Sequence, residues 1–554
     1  MSAAASANGA APPTGTGKRA LDPVTRNALR YTISPKEYEL LHQYLISRAP
    51  ARIKQQAPAP QRFERITRAR TETGEYNIAS FRAAFRVFAA AYIGLKGYEK
   101  LSLRLERRRR GISYQPPVSP FKHKHARVAL SFSAILLFHR LLHRFFKRLR
   151  AALLEQSAES FRERNPTVTR LLTSQYTPAV GASLAGLFLG VSPSDQLRLT
   201  ITIYAFSRSL EFGYNALTDA GYVWKSGEKP WWFGSWLIMP FAAGQLLHAF
   251  VFDRDCFPES YGKFILARSP EYIQLRPVDL PKNSPWPGTF DIVDALADLS
   301  KQRWPAFVSP IMFPTLKNSV SPALAKVTPI TAPAHPAHTF TSCAVLHPND
   351  PSCARVYLRY WFAAFPSIAR FFTIVYGAFA LLAYKSALKA PLPFLNKLSG
   401  RILRISLFIT GSIGTSWASI CLFNNYLSKG FMPTQRWFLG GFLGGMWAFL
   451  ARHDERSTFL YSMRMSLDSL WKVGKKHGWW RGIPNGDVLV FMMSLALINF
   501  VYEVRPGAVN GGVLRKTLSS LRGEGWVDRS VTAKGDASAD KHEVNLVPKE
   551  NKLE

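Results

Sequence analysis

The sequence predicts an all-α, polytopic integral membrane protein made of two internal repeats of a four-helix core, each preceded by an additional helix. Three observations carry that expectation. Apolar segments of near-spanning length alternate with strongly basic stretches. The apolar half of the chain is written twice. Both copies carry a stripe of small residues followed by a charged but apolar-rich helix, a pattern of helix packing in membranes.

The duplication is visible residue by residue. ASLAGLFLG near 182 aligns with GGFLGGMWAF near 440, so Ala182, Gly186 and Gly190 fall on Gly440, Gly444 and Ala448. Downstream, Tyr204, Ser209, Leu210, Glu211 and Gly221 fall on Tyr461, Ser466, Leu467, Asp468 and Gly478.

The 554 residues carry 71 Lys and Arg against 36 Asp and Glu, a net charge of +35. Mean hydropathy is only -0.04, which averages apolar spans with long polar ones. Because the basic residues flank hydrophobic segments, the expected partner is a lipid bilayer with an anionic surface. No nucleic-acid partner is expected, since no zinc finger or RNA-binding signature is present. Four cysteines (Cys256, Cys343, Cys353 and Cys421) are too few for a disulfide scaffold. The N-terminal MSAAASANGAAPPTGTGKRA has no apolar core of a cleaved signal, and the final NKLE is no retrieval tail.

Taken in order, residues 1–75 read as a basic, largely disordered lead with a short helix near 35–49. Residues 76–253 form the first membrane repeat. Its leading helix, 80–98, is made amphipathic by Arg82 and Arg86. A basic linker at 99–127 contains Arg107, Arg108, Arg109 and Arg110. The segments 128–146, 178–192, 197–217 and 232–252 follow, the last opened by an aromatic cluster of Trp231, Trp232 and Trp236. Residues 254–342 read as a Pro-rich extramembrane loop with one amphipathic helix at 290–302. Residues 343–505 hold a Cys/His region and the second repeat, whose segments 361–384, 403–423, 436–451, 456–474 and 487–503 replay the order of the first. Residues 506–554 read as a disordered charged tail. This gives about eight to ten membrane-associated helices. The positive-inside rule puts the N-terminal region and the 99–127 linker on one face only if 80–98 lies flat, so the charge pattern favours an interfacial first helix.

Candidate functional residues fall in three groups. The small-residue stripes Ala182, Gly186, Gly190 and Gly440, Gly444, Ala448 let helix backbones approach. Arg208 with Glu211, and Arg464 with Asp468, lie three and four residues apart on one helix face. They suit either a polar seam inside the bundle or charges reaching into headgroups. The string HPAHTFTSCAVLHPNDPSC offers His335, His338, Cys343, His347 and Cys353. Mixed thiolate and imidazole ligands suit Zn²⁺, but C-x3-H-x5-C matches no zinc-finger spacing. Cys343, His347 and Cys353 therefore stay open between a metal site, a Cys343–Cys353 disulfide and free thiols. The aromatic and charged run at 252–277 reads as a membrane-proximal cap. No Walker A, G-x-S-x-G, H-E-x-x-H or dinucleotide glycine motif is present, so no enzyme activity is expected and the sequence calls for no cofactor.

From SCAVLHPNDPSC through RSTFLYSMRMSLDSLWKVGKKHGWWRGIPNGDVLVF, the second half resembles the transmembrane protein 135 family, with Cys343, His347, Pro348, Ser352 and Cys353 carrying a C…HP…SC pattern. More distantly, the repeated core is similar to the mitochondrial inner-membrane translocase and peroxisomal-membrane-protein superfamily, a four-helix membrane fold with Gly-xxx-Gly helices. The resemblance implies a non-enzymatic, multi-pass protein of mitochondrial or peroxisomal membranes. It implies a scaffold or transport role in lipid or metabolite homeostasis and organelle dynamics, as a homo- or hetero-oligomer. The alternative it implies is a subunit of a preprotein translocase-like complex.

Overall fold

The computed structural model describes residues 23–68, 71–110, 123–224, 228–281, 283–314, 321–382 and 384–531. Among them every regular element is helical, apart from one isolated bridge between Ala306 and Phe340. Six helical segments are long and apolar enough to cross a membrane: Thr73–Arg108, Lys124–Leu154, Ser235–Phe252, Cys353–Leu381, Pro391–Tyr426 and Gly486–Val504. The chain is thus all-α, with the composition of a multi-pass membrane protein.

It forms two compact units, and these do not follow the linear order of the sequence. One comprises residues 1–219 with 485–554, the other residues 220–484. The boundaries expected from sequence, at 253/254 and 342/343, both fall inside the second unit. The reason is that residues 220–253, expected with the first repeat, belong to the second unit, and residues 485–505, expected with the second repeat, belong to the first.

The first unit begins with α1 (Pro23–Thr32), α2 (Pro35–Tyr44), α3 (Ala51–Gln56) and α4 (Pro60–Thr67). The expectation of a largely disordered lead is corrected here, residues 1–22 lying outside the described ones. Ser34 and Glu37 form a reciprocal capping box that starts α2. Tyr38 stacks on Phe63 at 3.9 Å and donates to Pro58 O at 2.7 Å.

Next come α5 (Glu72–Arg110), α6 (Lys124–Leu154), α7 (Glu159–Arg164), α8 (Pro166–Thr173) and α9 (Thr177–Ala182). A 3-10 stretch, Ser183–Val191, and α10 (Gln196–Asp219) follow. The run Arg107–Arg110 ends α5 and is no linker. The charges that made 80–98 look interfacial are met within the protein. Arg82 donates to Arg30 O at 2.8 Å, and Arg86 to Glu37 at 2.7 Å and Thr32 O at 3.0 Å. With those partners supplied, α5 is a span candidate by length and composition.

The second unit contains α11 (Ile238–Phe252), α12 (Glu259–Leu266), α13 (Thr289–Lys301), α14 (Pro322–Lys326), α15 (Thr328–Thr331) and α16 (Thr341–Leu346). It continues with α17 (Cys353–Leu382), α18 (Tyr384–Lys389), α19 (Pro391–Tyr426), α20 (Arg436–Gly445) and α21 (Arg456–Lys476). The Pro-rich segment is no peripheral loop. Ile292, Val293, Leu296 and Leu299 of α13 are buried with Trp304, Trp417 and Trp437 in the largest core. Trp304 donates to Pro433 O at 3.0 Å, and Trp417 to Ser269 Oγ at 2.9 Å.

Finally α22 (Gly486–Val504) and α23 (Gly512–Arg522) return to the first unit. The expected disordered tail is therefore ordered as far as residue 531, residues 532–554 lying outside the described ones. Val509, Leu518 and Ser519 are buried, Tyr502 and Ser519 share a 2.7 Å hydrogen bond, and buried Arg522 donates to Asn499 O at 2.7 Å.

In the first unit α5 packs on α6, α6 on α9 and Ser183–Val191, and α22 on that stretch and on α10. In the second, α17 packs on α19, α19 on α20 and Met446–Ala451, and α11 on α20 and α21. Each unit thus includes a helix that the sequence assigned to the other repeat, α22 in the first and α11 in the second. Gly221 and Gly478, aligned in sequence, both adopt positive φ (76° and 72°) just beyond α10 and α21.

Candidate metal centre and polar seams

The small-residue stripes are points of backbone contact. A Cβ at Gly186 would lie 2.9 Å from Cα of Met492, and Ala182 and Ala448 are fully buried. Gly190 is looser, with Val488 Cγ2 at 3.9 Å. Gly440 and Gly444 face α19, where a Cβ on Gly444 would meet Ser412 O at 2.6 Å. Their neighbours Gly441 and Gly445 face α11, meeting Ala243 O and Pro240 Cα at 2.5 Å each. Helix α20 therefore presents glycine to two helices at once.

The charged pairs fare differently. Arg208 and Glu211 form a 2.7 Å ion pair, and buried Glu211 also accepts from Asn510 Nδ2 at 3.2 Å. Asp468, the aligned acid, is buried and pairs with Lys472 at 2.8 Å. Arg464, four residues before Asp468 on the same helix face, is the partner expected from sequence. Lys472 lies one turn C-terminal to Asp468, an equally close neighbour on the helix.

Other buried polar groups carry no local sequence signature. Asn499 of α22 donates to His139 Nε2 at 2.9 Å and Ser183 Oγ at 2.8 Å, while His139 Nδ1 donates to Leu521 O at 3.0 Å. Arg198 donates to both carboxylate oxygens of Asp487, at 2.6 and 3.0 Å, pinning α10 to the start of α22. In the second unit Gln245 of α11 bonds Ser469 and Ser466 of α21, at 3.1 and 2.9 Å. Buried Glu455 accepts from Arg401, Tyr376 and Thr458, at 2.9, 2.7 and 2.7 Å.

The most concentrated chemistry lies at the start of α17. Four side chains, Cys343, His347, Cys353 and Cys421, bring one ligand-type atom each within 4.8 Å of one another. Cys343 comes from the buried α16, and His347 from its C-terminal cap. Cys353 opens α17, and Cys421 is buried near the end of α19. The intervening HPNDPS turn is held by Ser352 N–H to Asp350 Oδ1 at 2.9 Å and by Arg355 N–H to Ser352 Oγ at 3.4 Å. Cys343 Sγ lies 3.9 Å from Cys353 Sγ and 3.7 Å from Cys421 Sγ. All four cysteines of the chain are free thiols, so the Cys343–Cys353 disulfide open from sequence is not formed. His347 Nε2 is 3.4 Å from Cys421 Sγ, and its Nδ1 donates to Asp350 O at 2.8 Å.

The other histidines of the motif stand behind this group. His338 is buried and donates through Nε2 to Pro348 O at 3.1 Å, and His335 N–H reaches the same carbonyl at 2.9 Å. Burial pushes the His338 imidazole below its usual pKa, with the Pro348 carbonyl acting against that shift. The spacing motif omitted Cys421, which follows Cys353 only after two long helices. The one available signal was a lone thiol in an otherwise apolar span.

No family model matches the chain, and neither does any curated protein or solved structure.

Proposed function

We propose that this chain is a non-enzymatic, multi-pass protein of a mitochondrial or peroxisomal membrane, acting as a scaffold or transport component in lipid or metabolite homeostasis. The observation that carries the membrane part is the set of six span-length apolar helices, three in each compact unit. The net charge of +35 favours an anionic lipid surface as its setting. Residues resembling the transmembrane protein 135 family supply the organelle and the lipid-related role.

We further infer that the units descend from one duplicated five-helix module whose last helices have been exchanged. The aligned glycines and acids, and the matching order of packed helices, support this. Exchange explains why the repeats are intact in sequence yet neither bundle closes without the other half. Both halves would then have to be made together for either bundle to close.

Six crossings would put both termini on one face and residues 253–352 on the other. The test is localisation of tagged chain by fractionation, followed by loss of the gene product. A mitochondrial or peroxisomal signal with altered organelle lipid is the expected result. Residence confined to the endoplasmic reticulum or plasma membrane would overturn the organelle reading. The translocase-like alternative would instead give co-purifying translocase subunits and a protein-import defect.

A further inference from the structure

We propose that Cys343, His347, Cys353 and Cys421 bind one Zn²⁺ in a closed Cys3His site that fastens the segment before α17 to the adjoining ends of α17 and α19. The distances support it. With Zn–S near 2.3 Å and Zn–N near 2.0 Å, tetrahedral geometry places sulfur atoms about 3.8 Å apart and sulfur and nitrogen about 3.5 Å apart. Three of the six pairs here lie at 3.9, 3.7 and 3.4 Å, and all lie within 4.8 Å. Three thiols and an imidazole that merely pack have no reason to converge around one point.

The histidine is set in the ligating tautomer. Its Nδ1–H is committed to the Asp350 carbonyl, so the Nε2 lone pair faces the sulfurs. An imidazole fixed by a backbone carbonyl is the usual outer support of a zinc ligand. Pro348 O, two residues earlier, is itself held by His335 and His338, so the ligand turn is braced from behind.

The ligand set also selects the metal. Three thiolates and one imidazole favour a soft or borderline ion. Four ligand atoms within 4.8 Å surround a single ion, whereas a two-iron cluster needs its ligand pairs further apart. Four protein ligands leave no open position, which makes the centre structural.

Binding displaces three thiol protons: Zn²⁺ joins three cysteine thiols and neutral His347, three S–Zn bonds and one N–Zn bond form, and three H⁺ leave. The product carries one negative charge. A compensating cation is near along the hydrogen bonds. Fully buried Arg436 donates to Asn424 Oδ1 at 2.8 Å, and Asn424 donates to Ser342 Oγ at 2.8 Å, next to Cys343. Its other partners, Phe431 O and Ser428 O, are neutral.

The test uses the full-length chain purified in detergent under reducing conditions, with elemental analysis before and after exposure to Zn²⁺. One zinc per chain is expected, and replacement by Co²⁺ should give tetrahedral d–d bands with thiolate-to-cobalt charge transfer. Cys421→Ala should lower zinc retention against a competing chelator at least ~10-fold. Cys256→Ala, a cysteine outside the cluster, should leave it unchanged. If Cys421→Ala fails to fold, thiol counting on the wild-type chain decides: chelation should expose three additional reactive thiols. Substoichiometric zinc after loading, a Cys343–Cys353 disulfide in the native chain, or full zinc retention by a folded Cys421→Ala would each overturn the proposal.

Discussion

Replacing Gly445 by alanine adds one methyl group where two helix backbones touch. Its Cβ would sit 2.5 Å from Pro240 Cα and 2.7 Å from Met239 O. Non-bonded carbons settle near 3.5–4.0 Å, so α20 and α11 would have to separate by roughly 1 Å. No side chain can rotate away, because the obstructing atoms are backbone. Over-packing costs about 1–3 kcal/mol, and the absence of relief places this site near the upper end. Alanine's better helix propensity returns about 1 kcal/mol. The net is a destabilisation of ~2 kcal/mol. Gly377 of α17 is the control, because a Cβ there meets nothing within 4 Å. Gly377→Ala keeps only the propensity gain of about 1 kcal/mol. In detergent, monitored by size-exclusion fluorescence after heating, Gly445→Ala should melt roughly 4–8 °C below wild type while Gly377→Ala does not fall. Equal melting of the two variants would refute the claim that α11 seats directly on α20.

Other consequences are equally direct. Asp487→Ala leaves Arg198 buried without its carboxylate and should cost about 3 kcal/mol, reduced somewhat by the partial exposure of Asp487; the double variant Arg198→Ala with Asp487→Ala should recover part of the loss in a thermal-melt cycle. Asn499→Leu removes the donor to His139 and Ser183 and should lower stability by about 1–3 kcal/mol, measured the same way. The Arg515 guanidinium holds Asp528 at about 2 against its ordinary 3.8, so the pair's contribution is complete above pH 3.8 and is lost as pH falls towards 2. Hydrogen exchange in α23 should accelerate across that window in wild type and be flat there in Asp528→Asn.

Much of the architecture was legible in the sequence because its causes are local. The Gly186, Gly440 and Gly444 stripes mark close approach, since only a missing Cβ permits it, and the spacing that reveals them is helical. Glu211 declared its partner for the same reason, Arg208 being one turn away. What stayed hidden depends on distant parts of the chain. Nothing near Gln245 announces Ser466 and Ser469, which lie beyond the whole Pro-rich segment and the two long helices α17 and α19. Hence the placing of α11 in the second unit and α22 in the first was not foreseen. Arg82 and Arg86 argued for an interfacial helix only while the segment carrying their acceptors, the Arg30 and Thr32 carbonyls and Glu37, was not expected to pack on α5. Three of the four candidate metal ligands were visible: SCAVLHPNDPSC gave Cys343, His347 and Cys353, but Cys421 reaches the group only through the α17–α19 hairpin.

The measurement that most directly tests a six-span protein closed by exchanged helices is protease protection of sealed organelles carrying tags at the N-terminus, beside the exposed Met312, and at the C-terminus. If α5 and the five other candidates cross, both terminal tags will share one face and the tag at residue 312 will lie on the opposite one. A Met312 tag digested together with the N-terminal tag would mean that α5 does not cross, and terminal tags on opposite faces would contradict the six-span account outright.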